Sequence, residues 1–190
     1  MPLTITRRAK ARITAHGLNV YPLEGFGLLL GPESSDHENG YALAALPVGK
    51  TERWYKSAGR FARLPEALAV ATNLFGVSQL HPIGIYCTVY SSSGDYPEVL
   101  VATAPQLSGA PWLVLRAVDG GETIFGCWAK NCEAGTWHDD SLITTSPRID
   151  SPEHNPRRIA VAWNRTWGVL DYGNLHEIEL LRLGLPDRAP

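Results

Sequence analysis

The sequence predicts one α/β domain followed by a polar C-terminal extension. Three patterns favour this class: an amphipathic helical repeat over residues 64–75, short apolar strands on both sides of it, and a hairpin turn at residues 119–122. The chain has 190 residues, of which 44% are hydrophobic, so it is long enough for one core and too short for two full domains. We expect the main domain at residues 1–132, with residues 133–190 forming a polar loop and an extension packed on it.

The charge of the chain gives no reason to expect nucleic acid as a partner. The formal net charge is -2 at pH 7, whereas nucleic-acid binding needs clustered lysines and arginines that displace counterions. One basic cluster stands near the N-terminus, at Arg7, Arg8, Lys10 and Arg12, and we interpret it as the solvated face of a helix.

The sequence also predicts a cytoplasmic protein that does not enter a membrane. No apolar run approaches the ~20 residues that a membrane helix needs, and the N-terminus lacks the pattern of a signal peptide. The three cysteines, an odd number with no Cys-x-x-Cys spacing, argue against a disulfide framework and against a cysteine-rich structural zinc site.

A first helix is predicted from Thr6 to His16. Thr6 is a residue type that caps helices, and Gly17 is of the type that ends them. Ala9, Ile13 and His16 recur at helical spacing, so they share the face that packs on the domain.

Two strands, a helix and a third strand follow. Residues 26–30 form an apolar run that ends at a Gly-Pro pair, and residues 41–48 are its predicted antiparallel neighbour. The helix at residues 64–75 has apolar residues at helical spacing between an early proline and a final glycine. Residues 83–90 are predicted as a strand whose odd-numbered residues share one face.

Beyond this strand, a serine-rich loop leads to a short helix that Asp95 is suited to cap. Residues 112–118 and 123–129 then flank an Asp-Gly-Gly-Glu turn. Asp-Gly and Gly-Gly accept the positive φ angles of tight turns, so these two strands are predicted to form a hairpin.

The last third of the chain changes in composition. Residues 133–156 are polar and contain several prolines, which predicts a long loop. Residues 158–163 and 167–172 are interpreted as two further strands, and residues 175–183 stay open between helix and strand.

Two segments of the chain carry a family resemblance. The first is Tyr-Pro-Leu-Glu-Gly-Phe-Gly-Leu-Leu-Leu-Gly at residues 21–31, and the second is Gly-Ile-Tyr-Cys-Thr-Val at residues 84–89. They resemble the glutamate-bearing strand and the Gly-Ile-Tyr-His-Ser-His strand of the JAMM/MPN family, also called JAB or Mov34 domains. These are zinc isopeptidases that trim ubiquitin and ubiquitin-like tails. The resemblance covers residues 4–130 and implies a cytidine-deaminase-like mixed sheet flanked by helices.

The positions that resemble the zinc ligands of this family are replaced. Residues two apart on a strand point the same way and can grip one ion, but here the His-x-His pair is Cys87 and Val89. A thiolate is an acceptable zinc ligand, whereas valine has no lone pair to offer. The family's third ligand, an aspartate, aligns with Leu100, and the serine of the same motif aligns with Pro97. The resemblance therefore implies a degenerate site with no metal.

Glu24 is the catalytic residue of the family that remains, as a vestigial general base. In an active relative this carboxylate takes a proton from zinc-bound water, whose pKa the metal brings to about 7. The alternative is a polar residue at a strand start, held by backbone N–H groups or an arginine. His81 and His138 are weak alternative ligands, and Tyr90 and Trp137 are candidates for a partner-binding surface.

Three functions stay open at this point. The first is a catalytically silent JAMM/MPN-like module without a cofactor, whose partner is a ubiquitin-like protein or another MPN-type subunit. The second is a divergent zinc metallohydrolase that keeps Glu24, recruits Cys87 with His81 or His138, and trims the tail of a ubiquitin-like or sulfur-carrier protein. The third is an unrelated small α/β domain with a structural role.

Overall fold

A computed structural model of the chain describes residues 3–20, 23–32, 40–51, 63–89, 112–117, 123–128, 142–145 and 151–168. The strands in this part are β1 (Leu3–Thr6), β2 (Glu24–Pro32), β3 (Gly40–Ala42), β4 (Ala44–Thr51), β5 (Leu80–Val89), β6 (Trp112–Ala117), β7 (Thr123–Trp128) and β8 (Leu142–Thr145). The α-helices are α1 (Arg7–Val20), α2 (Leu64–Phe75) and α3 (Pro156–Trp163). Two 3-10 turns (Gly76–Ser78, Pro152–His154) and a π turn (Asn164–Gly168) complete this part.

The strands form two sheets. The larger has the order β4-β2-β5-β6-β7, and the smaller has the order β3-β1-β8. In the larger sheet β2 pairs antiparallel with β4 and β5, β5 pairs parallel with β6, and β6 pairs antiparallel with β7. The smaller sheet is parallel. The molecule is therefore an α/β protein. The predicted antiparallel pairing of residues 26–30 with residues 41–48 is confirmed for β4, but residues 41–42 belong to β3 and pair with β1 in the smaller sheet. The predicted pairing of β6 with β7 is confirmed.

Helices cover both faces of the central strands. Phe26, Leu28 and Leu30 of β2 pack with α2 and α3 in the larger core cluster. Leu29 points the other way and packs with α1 and Tyr86 of β5. Because successive strand residues face opposite sides, a strand covered on both sides has to be apolar along its whole length. This explains the continuous apolar run in the sequence of β2, in which all but the last residue are buried.

α1 begins where the capping residue predicts but ends later. The Thr6 hydroxyl accepts a hydrogen bond of 3.1 Å from the Ala9 N–H, which satisfies an amide of the first turn. We predicted an end at Gly17, but the helix continues to Val20, because Gly17 is buried and packing outweighs its low helix propensity. The interpretation of the basic cluster as a solvated face is wrong for Arg12, which is 4% exposed.

The predicted face of β5 also needs one correction. Ile85 and Cys87 lie in the core cluster on the α2 side, whereas Ile83 packs against the cluster on the α1 side. The reason is a β-bulge in the pairing of β5 with β2, where Ile83 has no residue opposite it. A bulge shifts the alternation of side chains by one residue.

In the described part of the predicted C-terminal extension, a strand and a helix stand where a loop and a strand were predicted. β8 lies within residues 133–156, which were predicted as a loop, and it pairs parallel with β1. α3 replaces the strand predicted at residues 158–163, and the π turn replaces the start of the one predicted at 167–172.

The residues of α3 explain why a helix forms. The Asn155 side chain accepts a hydrogen bond of 2.9 Å from the Arg157 N–H, and a proline occupies the first helical position. Both features start helices. Ile159, Ala160 and Trp163 then share the buried face, while Val161 is 49% exposed. The alternation of Ile159, Val161 and Trp163 that predicted a strand is therefore a coincidence of the sequence.

Some predicted features lie outside the described residues: the short helix from Asp95, the turn at residues 119–122, and residues 175–183. Among the residues that are described, no helix is long and apolar enough to cross a membrane.

Candidate functional site

The residues of the family resemblance lie where β2 and β5 run side by side. Glu24 is the first residue of β2 and is 2% exposed. Phe26 pairs with Cys87 of β5, and residues two apart on a strand share a face. Glu24 and Cys87 are therefore diagonal neighbours on the face that α2 and α3 cover.

Cys87 is buried in the larger core cluster. Its thiol side chain is 4% exposed and belongs to the core cluster that also contains Phe26 and Ile85. Val89, two residues further on, ends β5. Within the described part of the chain, no group of three or more His, Cys, Asp and Glu residues is placed to hold a metal ion. A zinc site needs at least three protein ligands, and the described residues by themselves do not supply three.

His81 and Cys87 stand near opposite ends of β5. His81 pairs with Gly31 towards the end of β2, whereas Cys87 pairs with Phe26 near its start. Six residues of strand span about 20 Å, so the two side chains cannot bind one metal ion. Of the two ligand pairs in the second hypothesis, the register rules out Cys87 with His81, whereas Cys87 with His138 involves a residue outside the described part of the chain. The other named site residues lie outside the described part of the chain: Leu100, His138, Tyr90 and Trp137.

The opposite face of the same strands holds a buried polar pair. Nδ1 of His16 on α1 and the hydroxyl of Tyr86 on β5 share a hydrogen bond of 2.8 Å, and the two rings meet edge to face with centroids 5.8 Å apart. Burial and, to a lesser degree, the positive charge of Arg12 lower the pKa of His16 to about 3, so its imidazole is neutral at pH 7. The prediction that His16 packs on the domain is confirmed, but its partner was not foreseen.

Gly25 and Gly27 of β2 make room for these rings. A Cβ atom at Gly25 would lie 2.9 Å from the ring of His16. One at Gly27 would lie 2.5 Å from the ring of Tyr86 and 2.3 Å from the carbonyl oxygen of Leu46. Glycine inside a strand often marks such a close approach, so the alternating glycines of β2 were the sequence signal for this cluster.

Two further polar contacts lie near this pair, one between β2 and β5 and one between α1 and the turn after α3. The hydroxyl of Thr88 accepts a hydrogen bond of 2.7 Å from the Gly25 N–H. Arg12 donates from Nη2 to Oδ1 of Asn164 at 2.5 Å, which ties α1 to the turn after α3. Arg12 and Thr88 are both buried, so these contacts hold α1 and the strands in place rather than meet a ligand from solvent.

Two tryptophans hydrogen-bond to the backbone of β4. The indole N–H of Trp163 donates to the carbonyl of Pro47 at 2.8 Å, and that of Trp167 donates to the carbonyl of Val48 at 3.0 Å. Their rings stack with centroids 5.2 Å apart, and the Arg63 guanidinium lies 4.7 Å above the ring of Trp167. The two indoles therefore tie α3 and the π turn to the backbone of β4.

Comparisons with known proteins support the α/β fold class. No protein-family model and no curated protein matches the chain. The solution structure of a protein from Desulfitobacterium hafniense is similar, with a TM-score of 0.57 and 14% identity, over 80% of this chain and 98% of that one. A second, from Salinibacter ruber, has a TM-score of 0.47 and 20% identity, over 80% of this chain and 95% of that one. At 14% sequence identity, the first match shows a similar fold and nothing about function.

Proposed function

We propose that the protein is a catalytically silent JAMM/MPN-like domain that binds a protein partner, either a ubiquitin-like protein or another MPN-type subunit. The observation that carries this proposal is the burial of Cys87 in the core. At the position that resembles a zinc-binding histidine, the side chain is packed in the core beside Phe26 and Ile85.

The pairing of β2 with β5 supports the resemblance itself. The family's catalytic strand and its His-x-His strand bring a glutamate and the ligands to one face. In this chain Glu24 and Cys87 fall on one face by the register of Phe26 with Cys87.

The chemistry of the remaining residues supports the loss of catalysis. A general base of this kind works on water that a metal has acidified to a pKa of about 7, against about 15.7 for bulk water. Val89 offers no lone pair, and Cys87 alone cannot form a zinc site. Glu24 without the metal therefore has no sufficiently acidic proton to remove.

Elemental analysis of the untagged protein tests the absence of metal. We expect far less than one zinc per chain, and we expect that a chelator leaves the urea unfolding midpoint unchanged. About one zinc per chain in the wild type, lost in the Cys87→Ala variant, would overturn the proposal in favour of the divergent metallohydrolase.

A hydrolysis assay tests the absence of catalysis. The substrate is a ubiquitin-like protein carrying a fluorogenic group at its C-terminal tail, with zinc added. We expect the same background rate for the wild type and for Glu24→Gln. Turnover that is abolished by Glu24→Gln and by a chelator would identify a working hydrolase.

Calorimetric titration tests the partner class. A ubiquitin-like protein and an isolated MPN-type subunit are each titrated into the wild-type protein. The proposal expects saturable binding to one of the two. If neither binds, the structural role of an unrelated α/β domain becomes the better account.

A further inference from the structure

The outer face of α3 and of the turn after it carries an unusual set of exposed residues. The helix buries Ile159 and Trp163 against the core. Its other side exposes Arg157, Val161 and Arg165, which follow one another at intervals of four residues. Residues at this spacing lie on one face of a helix, about 6 Å apart along its axis. The result is a stripe with a guanidinium at each end and an apolar side chain between them.

This stripe borders an open groove. The groove has a volume of about 480 Å³. Among the residues that the structure describes, those that line it are Asn155, Arg157, Arg158, Val161, Ala162 and Arg165. Val161 is 49% exposed and provides, with Ala162, an apolar floor. The groove therefore combines three positive charges with a small hydrophobic surface.

The three guanidiniums are not used by the fold. In the part of the chain that the structure describes, no ion pair or hydrogen bond involves the side chains of Arg157, Arg158 and Arg165. Glu153, close by in sequence, does not line the groove. Like charges within two turns of a helix repel one another, so these arginines destabilise the free protein slightly and favour an anionic partner.

The apolar floor and the small basic area decide between classes of anionic partner. Nucleic acid is bound by basic surfaces that neutralise several phosphates in a row, and the chain as a whole carries a net charge of -2. An exposed valine between two arginines instead fits a peptide with an apolar side chain between two acidic ones. Arginine is also the residue that best matches a carboxylate, through two parallel hydrogen bonds.

The spacing of the stripe fixes the spacing of the ligand. In an extended peptide, alternate side chains point the same way and are about 6.7 Å apart. This is close to the rise of about 6 Å between Arg157 and Val161 on α3, and Arg165 follows four residues later in the wider π turn. An extended segment of the pattern acidic-x-apolar-x-acidic therefore meets all three residues at once.

We propose that the α3 groove binds an extended acidic segment of a partner protein, with carboxylates on Arg157 and Arg165 and an apolar side chain on Val161. This inference rests on the proposed function as a protein-binding module, and it adds the chemistry of the segment that is bound. Arg158 at the groove wall adds to the attraction for acidic chains.

Fluorescence anisotropy with a labelled peptide tests the inference. The probe is an extended peptide in which two glutamates flank a leucine at alternate positions. We expect saturable binding that Arg165→Glu weakens about tenfold, and that Val161→Ser weakens about threefold. The matched control is Arg7→Glu, which makes the same charge change at an exposed residue of α1 and is expected to change Kd by less than about twofold.

Three results would overturn the inference: no saturable binding, equal weakening by Arg165→Glu and Arg7→Glu, or equal binding of a scrambled peptide with adjacent glutamates. Tighter binding of a single-stranded RNA than of the peptide would also overturn it. These results are separate from the metal and hydrolysis assays. If the protein has no zinc and no activity and also does not bind the peptide, the proposed function stands. Only the inference about an acidic ligand is then wrong.

Discussion

At the scale of single residues, β2 can approach its neighbours closely because it contains glycines, which have no side chain. Gly27 leaves room for the ring of Tyr86 and for the carbonyl of Leu46, both nearer than any real Cβ contact. By contrast, Gly76 has nothing within 4 Å of the position of a Cβ, and its φ of -59° is ordinary for any residue. The same substitution at these two glycines therefore has opposite expected effects.

We predict that Gly27→Ala lowers the free energy of unfolding by about 3 kcal/mol, because backbone and ring must both shift. Gly76→Ala is the control, and it is expected to raise stability by about 0.5 kcal/mol through the entropy of the unfolded chain. Urea unfolding followed by circular dichroism measures both. A loss of less than about 1 kcal/mol for Gly27→Ala would show that the sheet adapts more easily than its contacts indicate.

The neutral imidazole of His16 makes stability depend on pH. Its pKa is lowered to about 3 in the folded protein from 6.5, so between these values the unfolded chain binds one more proton. The contribution of neutral His16 to the free energy of unfolding is therefore complete above pH 6.5, and it is lost as the pH falls towards 3. Well below pH 6.5 the slope is about 1.4 kcal/mol per pH unit.

We predict that, between pH 7 and pH 5, the wild type loses about 2 kcal/mol more stability than His16→Gln does. The substitution removes the titrating group, and the other ionisable groups contribute alike in both proteins. Urea unfolding at several pH values measures the two slopes. Parallel slopes would mean that the folded protein accepts the proton on His16.

At the scale of elements, α3 shows that local sequence patterns alone cannot always distinguish a helix from a strand. The capping Asn155 and the following proline are local signals for a helix, yet the alternating Ile159, Val161 and Trp163 are equally a strand pattern. Burial decides between the two, since the sheet needs a helix that covers β4 with Trp163. That requirement is set by the tertiary structure and is not visible in a window of a dozen residues.

The two tryptophans that hydrogen-bond to β4 lead to a further prediction. Trp163→Phe keeps an aromatic ring but removes the N–H that donates to a carbonyl in a fully buried position. We expect a loss of about 2 kcal/mol in the free energy of unfolding. Trp167→Phe removes the same group from a partly buried position, where water can replace it, so we expect a loss of less than about 1 kcal/mol. Equal losses in urea unfolding would contradict this ranking.

At the scale of the whole molecule, the elements were easier to predict than their register. α2 has its predicted bounds, and the β5 strand was predicted to within a few residues. The bulge at Ile83 was not foreseen, because it arises from the pairing of two strands that are far apart in sequence. The same holds for the site: Glu24 and Cys87 were named from their motifs, whereas the pairing of His16 with Tyr86 depends on how α1 docks.

The central position of β2 and β5 also predicts where the fold is most resistant to opening. Leu28 and Leu29 are completely buried, and their strand pairs on both sides. Their amides should exchange with solvent only when the whole domain unfolds, whereas those of the single turn Gly76–Ser78 should exchange through local opening. Native-state hydrogen exchange by NMR measures both classes.

If the domain unfolds as one unit, Gly27→Ala should lower the protection of the Leu28 and Leu29 amides by the same free energy that urea unfolding reports. The amides of the turn should be unchanged. A smaller change at Leu28 and Leu29 would mean that the central strands open without the rest of the domain.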